Sequence, residues 1–189
     1  MDWLLAGLGN PGAEYARTRH NAGFWTLQTL ADRVGASLRM EKRWHCLATT
    51  ARASGLELGL CMPQDFMNRS GGPVQAMAAF YKVPVERILV IHDELDLPPG
   101  TARLKRGGGH GGHNGLRDLD RALGTRDYWR LRIGIGHPGH KDAVIGYVLG
   151  APTAADKTLI DEAIERSLGV LPDFLSGRTD AAQKTLHSD

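Results

Sequence analysis

The run Ile88-Leu89-Val90-Ile91 constrains the fold more than any other stretch of the chain. It is apolar without alternation and rich in branched residues, the pattern of a strand buried on both faces of a parallel sheet covered by helices. It stops abruptly in His92-Asp93-Glu94-Leu95-Asp96, which places acids at the carboxyl edge of that sheet. A second short apolar run, Trp3-Leu4-Leu5-Ala6, gives way to Gly7-Leu8-Gly9-Asn10-Pro11-Gly12. Glycines at the end of a strand mark the sheet edge where open α/β sheets bind ligands.

The spacing Gly7, Gly9, Gly12 formally satisfies the dinucleotide fingerprint, with Asp32 near the distance of a ribose-binding acid. That fingerprint needs a helix that begins inside the glycine loop and offers free N–H groups to a pyrophosphate. Here Pro11 removes a donor, and the polar stretch Ala13 to His20 delays the helix. The helical pattern starts only at Asn21, a candidate cap, and continues through Phe24, Leu27, Ala31 and Val34 to Gly35. Asp32 is therefore expected inside a helix. A nicotinamide enzyme is disfavoured.

Further along, Ser37 to Lys42, His45 to Ala53 and Leu56 to Met62 read as strands, with a tight Ser54-Gly55 hairpin between the last two. A second glycine-bearing loop, Gln64 to Gly72, precedes a helix faced by Val74, Met77, Ala78 and Tyr81, with Ser70 as its expected cap. Thr101 to Arg106 reads as a strand carrying Arg103 and Lys105 outward. Gly107-Gly108-Gly109-His110-Gly111-Gly112-His113-Asn114-Gly115 is costly to order, which points to a mobile flap or to backbone pressed against a ligand. Leu116, Leu119 and Leu123 mark a helix, and Tyr128 to Ile135 a strand with Arg130 and Arg132 on one side of the pleat. Thr153 and Asp156 open a long amphipathic helix, and residues 176–189 read as a polar tail, frayed or weakly helical. The expected fold is α/β: a single domain over residues 1–189 with three layers, in which helices flank a twisted, mixed, mostly parallel sheet.

A chain of 189 residues suits one substantial core. No apolar stretch approaches the roughly 20 residues of a membrane span, so neither a membrane nor a secretory route is read and a cytoplasmic location is expected. The two cysteines, Cys46 and Cys61, lie in strand-like runs without metal-ligand spacing and are expected as small buried hydrophobes. Charge is uneven: Gly100 to Lys141 holds nine Lys or Arg against three acids, and Asp142 to Asp189 eight acids against four bases. The basic middle is a candidate phosphate-binding face.

Chemistry gathers at the loops. Asn10, Asn68 and Asn114 each follow a strand beside glycine or a helix start, and the apolar strand ends in Asp93; if all share the carboxyl edge, they converge. Side-chain amides suit an ester carbonyl, ribose hydroxyls and an oxyanion. His20 is the candidate general base, with Asp93 to fix its tautomer. The absence of a G-x-S-x-G elbow favours a water nucleophile. His110 and His113 have neither an H-E-x-x-H helix nor a thiolate partner, so no metal site is read. The competing class is a module that binds RNA or a nucleotide without turnover, which has no need of an oriented imidazole.

Gly7 to Gly12 with Tyr15 and Thr18-Arg19-His20-Asn21, Phe66-Met67-Asn68-Arg69-Ser70-Gly71, Asp93-Glu94-Leu95-Asp96-Leu97-Pro98, Gly111-Gly112-His113-Asn114-Gly115 and Arg132 to Pro138 together resemble the signature blocks of the bacterial peptidyl-tRNA hydrolase family, in order and over nearly the whole chain. The resemblance implies a monomeric, metal-independent, cofactor-free esterase that cleaves the bond between a peptide and the terminal ribose of tRNA. Carried over by position, it makes His20 the base, Asp93 its partner, and Asn10, Asn68 and Asn114 the groups that position substrate and water. Tyr15, Asn21, Met67 and His113 would line the channel. Lys105 and Arg132 would clamp the 5′-phosphate as the acceptor stem and 3′ end bind. Gln64-Asp65 departs from the small hydroxyl residues often found in relatives and bears on the shape of the loop wall.

Overall fold

Strand β1 (Trp3–Gly7) pairs in parallel with β4 (Leu56–Pro63) on one side and with β5 (Ile88–Glu94) on the other. That central position is what an unbroken apolar run requires. In the computed structural model, which describes residues 1–188, the seven-stranded sheet has the order β2-β3-β4-β1-β5-β7-β6. Here β2 is Arg39–Glu41, β3 Cys46–Ala53, β6 Ala102–Arg106 and β7 Trp129–Gly134. Strands β1, β2, β4, β5 and β7 run one way, and β3 and β6 run against them. The sheet is therefore mixed and mostly parallel, as expected. Ser54 and Gly55 both take positive φ at the β3–β4 hairpin, as a tight turn demands.

Helices cover both faces. Helix α1 (Ala22–Arg33), α5 (Ala154–Leu175) and α6 (Thr179–His187) bury Leu27, Ile160, Phe174 and Leu186 against Leu5 and Leu89 on one side. On the other, α2 (Gly71–Phe80) and α3 (Asn114–Leu123) bury Val74, Met77, Leu116 and Leu119 against Leu4, Ala6 and Val90. Cys46 and Cys61 are free and buried. Asp32 lies inside α1, so the dinucleotide pattern is a coincidence of spacing.

The crossing of α1 over the sheet positions the site. A Cβ on Gly7 would fall 2.4 Å from the Gly23 carbonyl oxygen, and one on Gly23 would fall 2.3 Å from that of Ile91. Only glycines allow α1 to touch the carboxyl ends of β1 and β5 backbone to backbone. The residues just before α1 thereby reach the end of β5.

Several expectations need correction. Asn21 and Ser70 precede α1 and α2 but make no side-chain cap: Asn21 bonds the backbone of Asn10, and the Ser70 hydroxyl donates to the Met67 carbonyl. Asp118 on α3 accepts from the Gly71 N–H in place of Ser70. Of the segment read as a polar tail, frayed or weakly helical, residue 189 lies outside the described residues, and Thr179–His187 form a seated helix, α6. Buried Ala182 and Leu186 seat this helix. It also satisfies the outer edge of β6: the Leu104 N–H donates to His187 Nε2 and Gln183 Nε2 donates to the Leu104 carbonyl. Arg130, on the same side of the pleat as Arg132, is buried at 2% exposure. No helix among the described residues is long and apolar enough to cross a membrane.

Candidate active site

The loop after β1 is built around Asn10. Its N–H donates to Asn21 Oδ1 at 2.8 Å, Asn21 Nδ2 returns a bond to its carbonyl at 3.0 Å, and its Oδ1 accepts from the Met67 N–H at 2.7 Å. The last bond fixes the orientation of the Asn10 amide and leaves Nδ2 as a donor for a ligand. The same bond ties the loop after β1 to the loop after β4.

Asp93, the last residue but one of β5, is 3% exposed, yet it is doubly paired. Its Oδ2 accepts from His20 Nδ1 and its Oδ1 from His113 Nε2, both at 2.8 Å. Burial alone would raise its pKa, but the two imidazoles outweigh burial and hold the carboxyl well below the usual carboxylate range. For His20, burial favours the neutral ring, while the charge and hydrogen bond of Asp93 outweigh it and raise the pKa above the ordinary 6.5. A carboxylate on Nδ1 leaves His20 Nε2 as the nitrogen that can take a proton.

The tautomer of His113 is fixed from its other side. Its Nδ1 accepts from the N–H groups of Gly115 and Leu116, so the ring caps α3 and its proton must sit on Nε2, facing Asp93. His113 is thus a neutral donor. Behind it, the His92 ring lies edge to face at 5.2 Å and donates from Nδ1 to the Asp93 carbonyl at 2.7 Å. Burial is the main cause that lowers the pKa of His92 to about 3, so this ring also stays neutral.

These groups face a cavity of about 720 Å³. Asn10, His20, Met67, Asn68, Asp93, His113 and Asn114 line it, so the convergence expected from the sequence is real. Its route is not the expected one. Strand β6 is antiparallel, with Arg106 opposite Trp129 at the amino end of β7, so the glycine loop begins at the far edge of the sheet. It must run back along β7 to bring His113 to Asp93, which pairs with Ile133.

Other expected residues lie elsewhere. Tyr15 is not in the lining but meets Phe66, which is, edge to face at 6.2 Å, and Asn21 sits behind Asn10. Lys105 and Arg132 stand outside the cavity on the β6–β7 edge. Lys105 is exposed, and Arg132 donates from Nε to Glu94 Oε1 at 2.8 Å. The sequence reading missed the second imidazole on Asp93, although the helix start right after His113 marks it as a cap. It also missed the apolar wall made by Val144, Ile145, Val148 and Leu149 on and beside the short helix α4 (Val144–Val148). Five residues are too few for a helical period to show. Arg19 holds that wall: its guanidinium stacks on the Tyr147 ring at 3.8 Å and donates to the Tyr147 carbonyl.

His20, Asp93 and His113 present ligand-type atoms within 4.8 Å of one another. Each nitrogen stands at hydrogen-bond distance from its own carboxylate oxygen, so the three groups bond one another directly.

The model of the peptidyl-tRNA hydrolase family matches residues 4–189. A peptidyl-tRNA hydrolase of Acidithiobacillus ferrooxidans is 94% identical over 189 residues, which is the full length of both chains. One from Azoarcus sp. is 51% identical over 185 residues, 98% of this chain and 84% of that protein. Among solved structures, the peptidyl-tRNA hydrolase of Acinetobacter baumannii superposes with a TM-score of 0.96 at 45% identity, covering 98% of this chain and 94% of that one. A carboxylate between two imidazoles, asparagines around an open cavity and this agreement in sequence and fold lead to one conclusion: the chain belongs to the peptidyl-tRNA hydrolase family.

Proposed function

We propose that the enzyme hydrolyses the ester between a peptide and tRNA with His20 as general base and Asp93 as the group that orients it. The observation that carries this reading is the bonding of Asp93: a buried carboxylate takes one N–H from each imidazole, which leaves His20 Nε2 alone as the proton acceptor. His20 Nε2 takes a proton from water as the water oxygen attacks the ester carbonyl. The oxyanion is met by amide donors, among them Asn10 Nδ2 with Asn68 and Asn114 at the cavity wall. The carbon–oxygen bond to the ribose then breaks, and the leaving oxygen takes the proton back from the imidazolium. The products are a tRNA with a free ribose hydroxyl and a peptide carboxylic acid, which releases its proton to solvent.

The rest of the tRNA is read as lying along the β6–β7 edge. Lys105 and Arg132 share one face there by strand alternation and stand outside the reaction cavity, where the 5′-phosphate of an acceptor stem would be met while the 3′ end enters. Tyr15 and Asn21 support this arrangement through Phe66 and Asn10. The protein acts as a monomer without cofactor. The test is deacylation of N-acetyl-aminoacyl-tRNA: the unaltered protein hydrolyses it, and the His20→Ala variant binds tRNA but does not.

A further inference from the structure

The glycine loop that carries His113 runs against the direction of β6, and the described structure offers it little to hold on to. Gly107 is bonded at its start, where its N–H donates to the Tyr128 carbonyl. Gly108 and Gly109 are exposed, and Gly107, Gly108, Gly111 and Gly112 all take positive φ. Beneath it lies Arg130. Its Nη2 donates to the Gly108 carbonyl and its Nη1 to the Gly109 carbonyl, each at 2.8 Å. The guanidinium is only 3% exposed at its side chain, stacks on the Tyr128 ring at 4.7 Å and faces Asp120 Oδ1 at 3.7 Å. Tyr128 OH holds Asp120 in turn at 2.8 Å. Burying a cation is costly, and it is offset here by two charge-assisted bonds to the loop backbone.

We infer that Arg130 is a positioning residue for the hydrolysis: its planar fork fixes the return path of the glycine loop and so holds His113 against Asp93. The inference rests on the reading of Asp93 as the partner of the base. A fork that bonds two successive carbonyls while stacked on a ring sets both height and direction, which a lysine ammonium cannot do.

The test compares Arg130→Lys and Arg130→Met with the unaltered protein on peptidyl-tRNA, after a cooperative thermal transition shows that each variant folds. We expect kcat to fall on the order of tenfold to a hundredfold in both, with a smaller change in KM, because loose placement of a group costs that much. Nitrogen-15 spectra of the histidines, taken without substrate, give the second readout. His113 should show one sharp Nε2–H signal, hydrogen-bonded to Asp93, in the unaltered protein and a weakened, exchanging one in both variants. A lowered Tm with unchanged kcat and an unchanged His113 signal would mean that Arg130 serves stability alone and would overturn the inference, as would full rescue by lysine. His20→Ala separates the two readings: it should leave the His113 signal intact, so an active His20→Ala protein would refute the base while the Arg130 readouts still stand.

Discussion

The loop after β1 and the loop after β6 each deliver an imidazole to Asp93, and they are held by different means. The first is locked by buried bonds between backbone and short amides: Asn10 with Asn21, and Asn10 with Met67. Gly7 and Gly9 are there for contact, since a Cβ on either would strike α1. In the second, Gly107, Gly108, Gly111 and Gly112 take positive φ and give the loop its path, and Gly109, Gly111 and Gly112 stand in open space. It hangs from Arg130 at one end and from His113 at the other. The base proposed at His20 needs a fixed seat, and the first loop provides one. A wall that must admit a polymer benefits from weaker attachment, and the second loop has it.

The sharpest way to break this comparison is to remove the imidazole of the rigid side. His20→Ala should lower kcat by about two to four orders of magnitude in deacylation of N-acetyl-aminoacyl-tRNA, the range of a general base. Its Tm should stay close to that of the unaltered protein; near-normal turnover would end the assignment. Asp93→Asn comes next, with a smaller loss of kcat and a signature in pH. Asp93 is what lifts the His20 pKa above 6.5, so the acid limb of kcat/KM in the unaltered protein should lie above that pH. With the charge gone, burial acts unopposed and the limb should move to lower pH. A limb that stayed in place would detach the titration from this pair.

The two kinds of glycine can be tested by one substitution. Gly7→Ala must push α1 off the sheet and should cost about 1–3 kcal/mol in thermal or denaturant unfolding. Gly109→Ala meets nothing within 4 Å and does not have positive φ, so its effect should stay within about 0.5 kcal/mol. Equal costs would erase the distinction between glycines in close contact and glycines in open space.

A finer test concerns the basic edge beside the second loop. Lys105→Ala and Arg132→Ala should raise KM for full-length tRNA with little change in kcat, and should flatten the dependence of affinity on salt. Short aminoacyl-oligonucleotides without a 5′ end should be indifferent to both changes; damage on both substrates would place these residues in support of the cavity. The smallest expected effect is none. Because His20 and His113 meet Asp93 at hydrogen-bond distance, activity should survive exhaustive chelation, and loss with rescue by zinc would replace the joint between the two loops by an ion.

Local pattern carried a large part of this molecule. The unbroken run at Ile88 required a central parallel strand, Ser54-Gly55 required the hairpin, and Pro11 with the polar stretch to His20 ruled out a dinucleotide loop. These follow from the period of side chains along a strand or helix and from the dihedral limits of glycine and proline, which act over a few residues. The residues of the cavity, from Asn10 to Asn114, were legible because small amides and histidines beside glycine are poor choices for a plain turn.

What lay beyond the sequence depends on partners far apart in the chain. The direction of β6 decides that the glycine loop starts at the wrong edge and must return, and nothing within the loop records that direction. Arg130 and Arg132 are spaced alike on one strand, yet one is buried under the loop and the other pairs with Glu94, because their neighbours come from distant segments. Asn21 and Ser70 sit where caps sit, and tertiary bonds claim them instead. The polar tail becomes a helix because the open edge of β6 needs its backbone groups satisfied, and His187 and Gln183 are within reach. Periodicity sets what a segment can form; which of its polar groups are free to act is settled only when every other segment has taken its place.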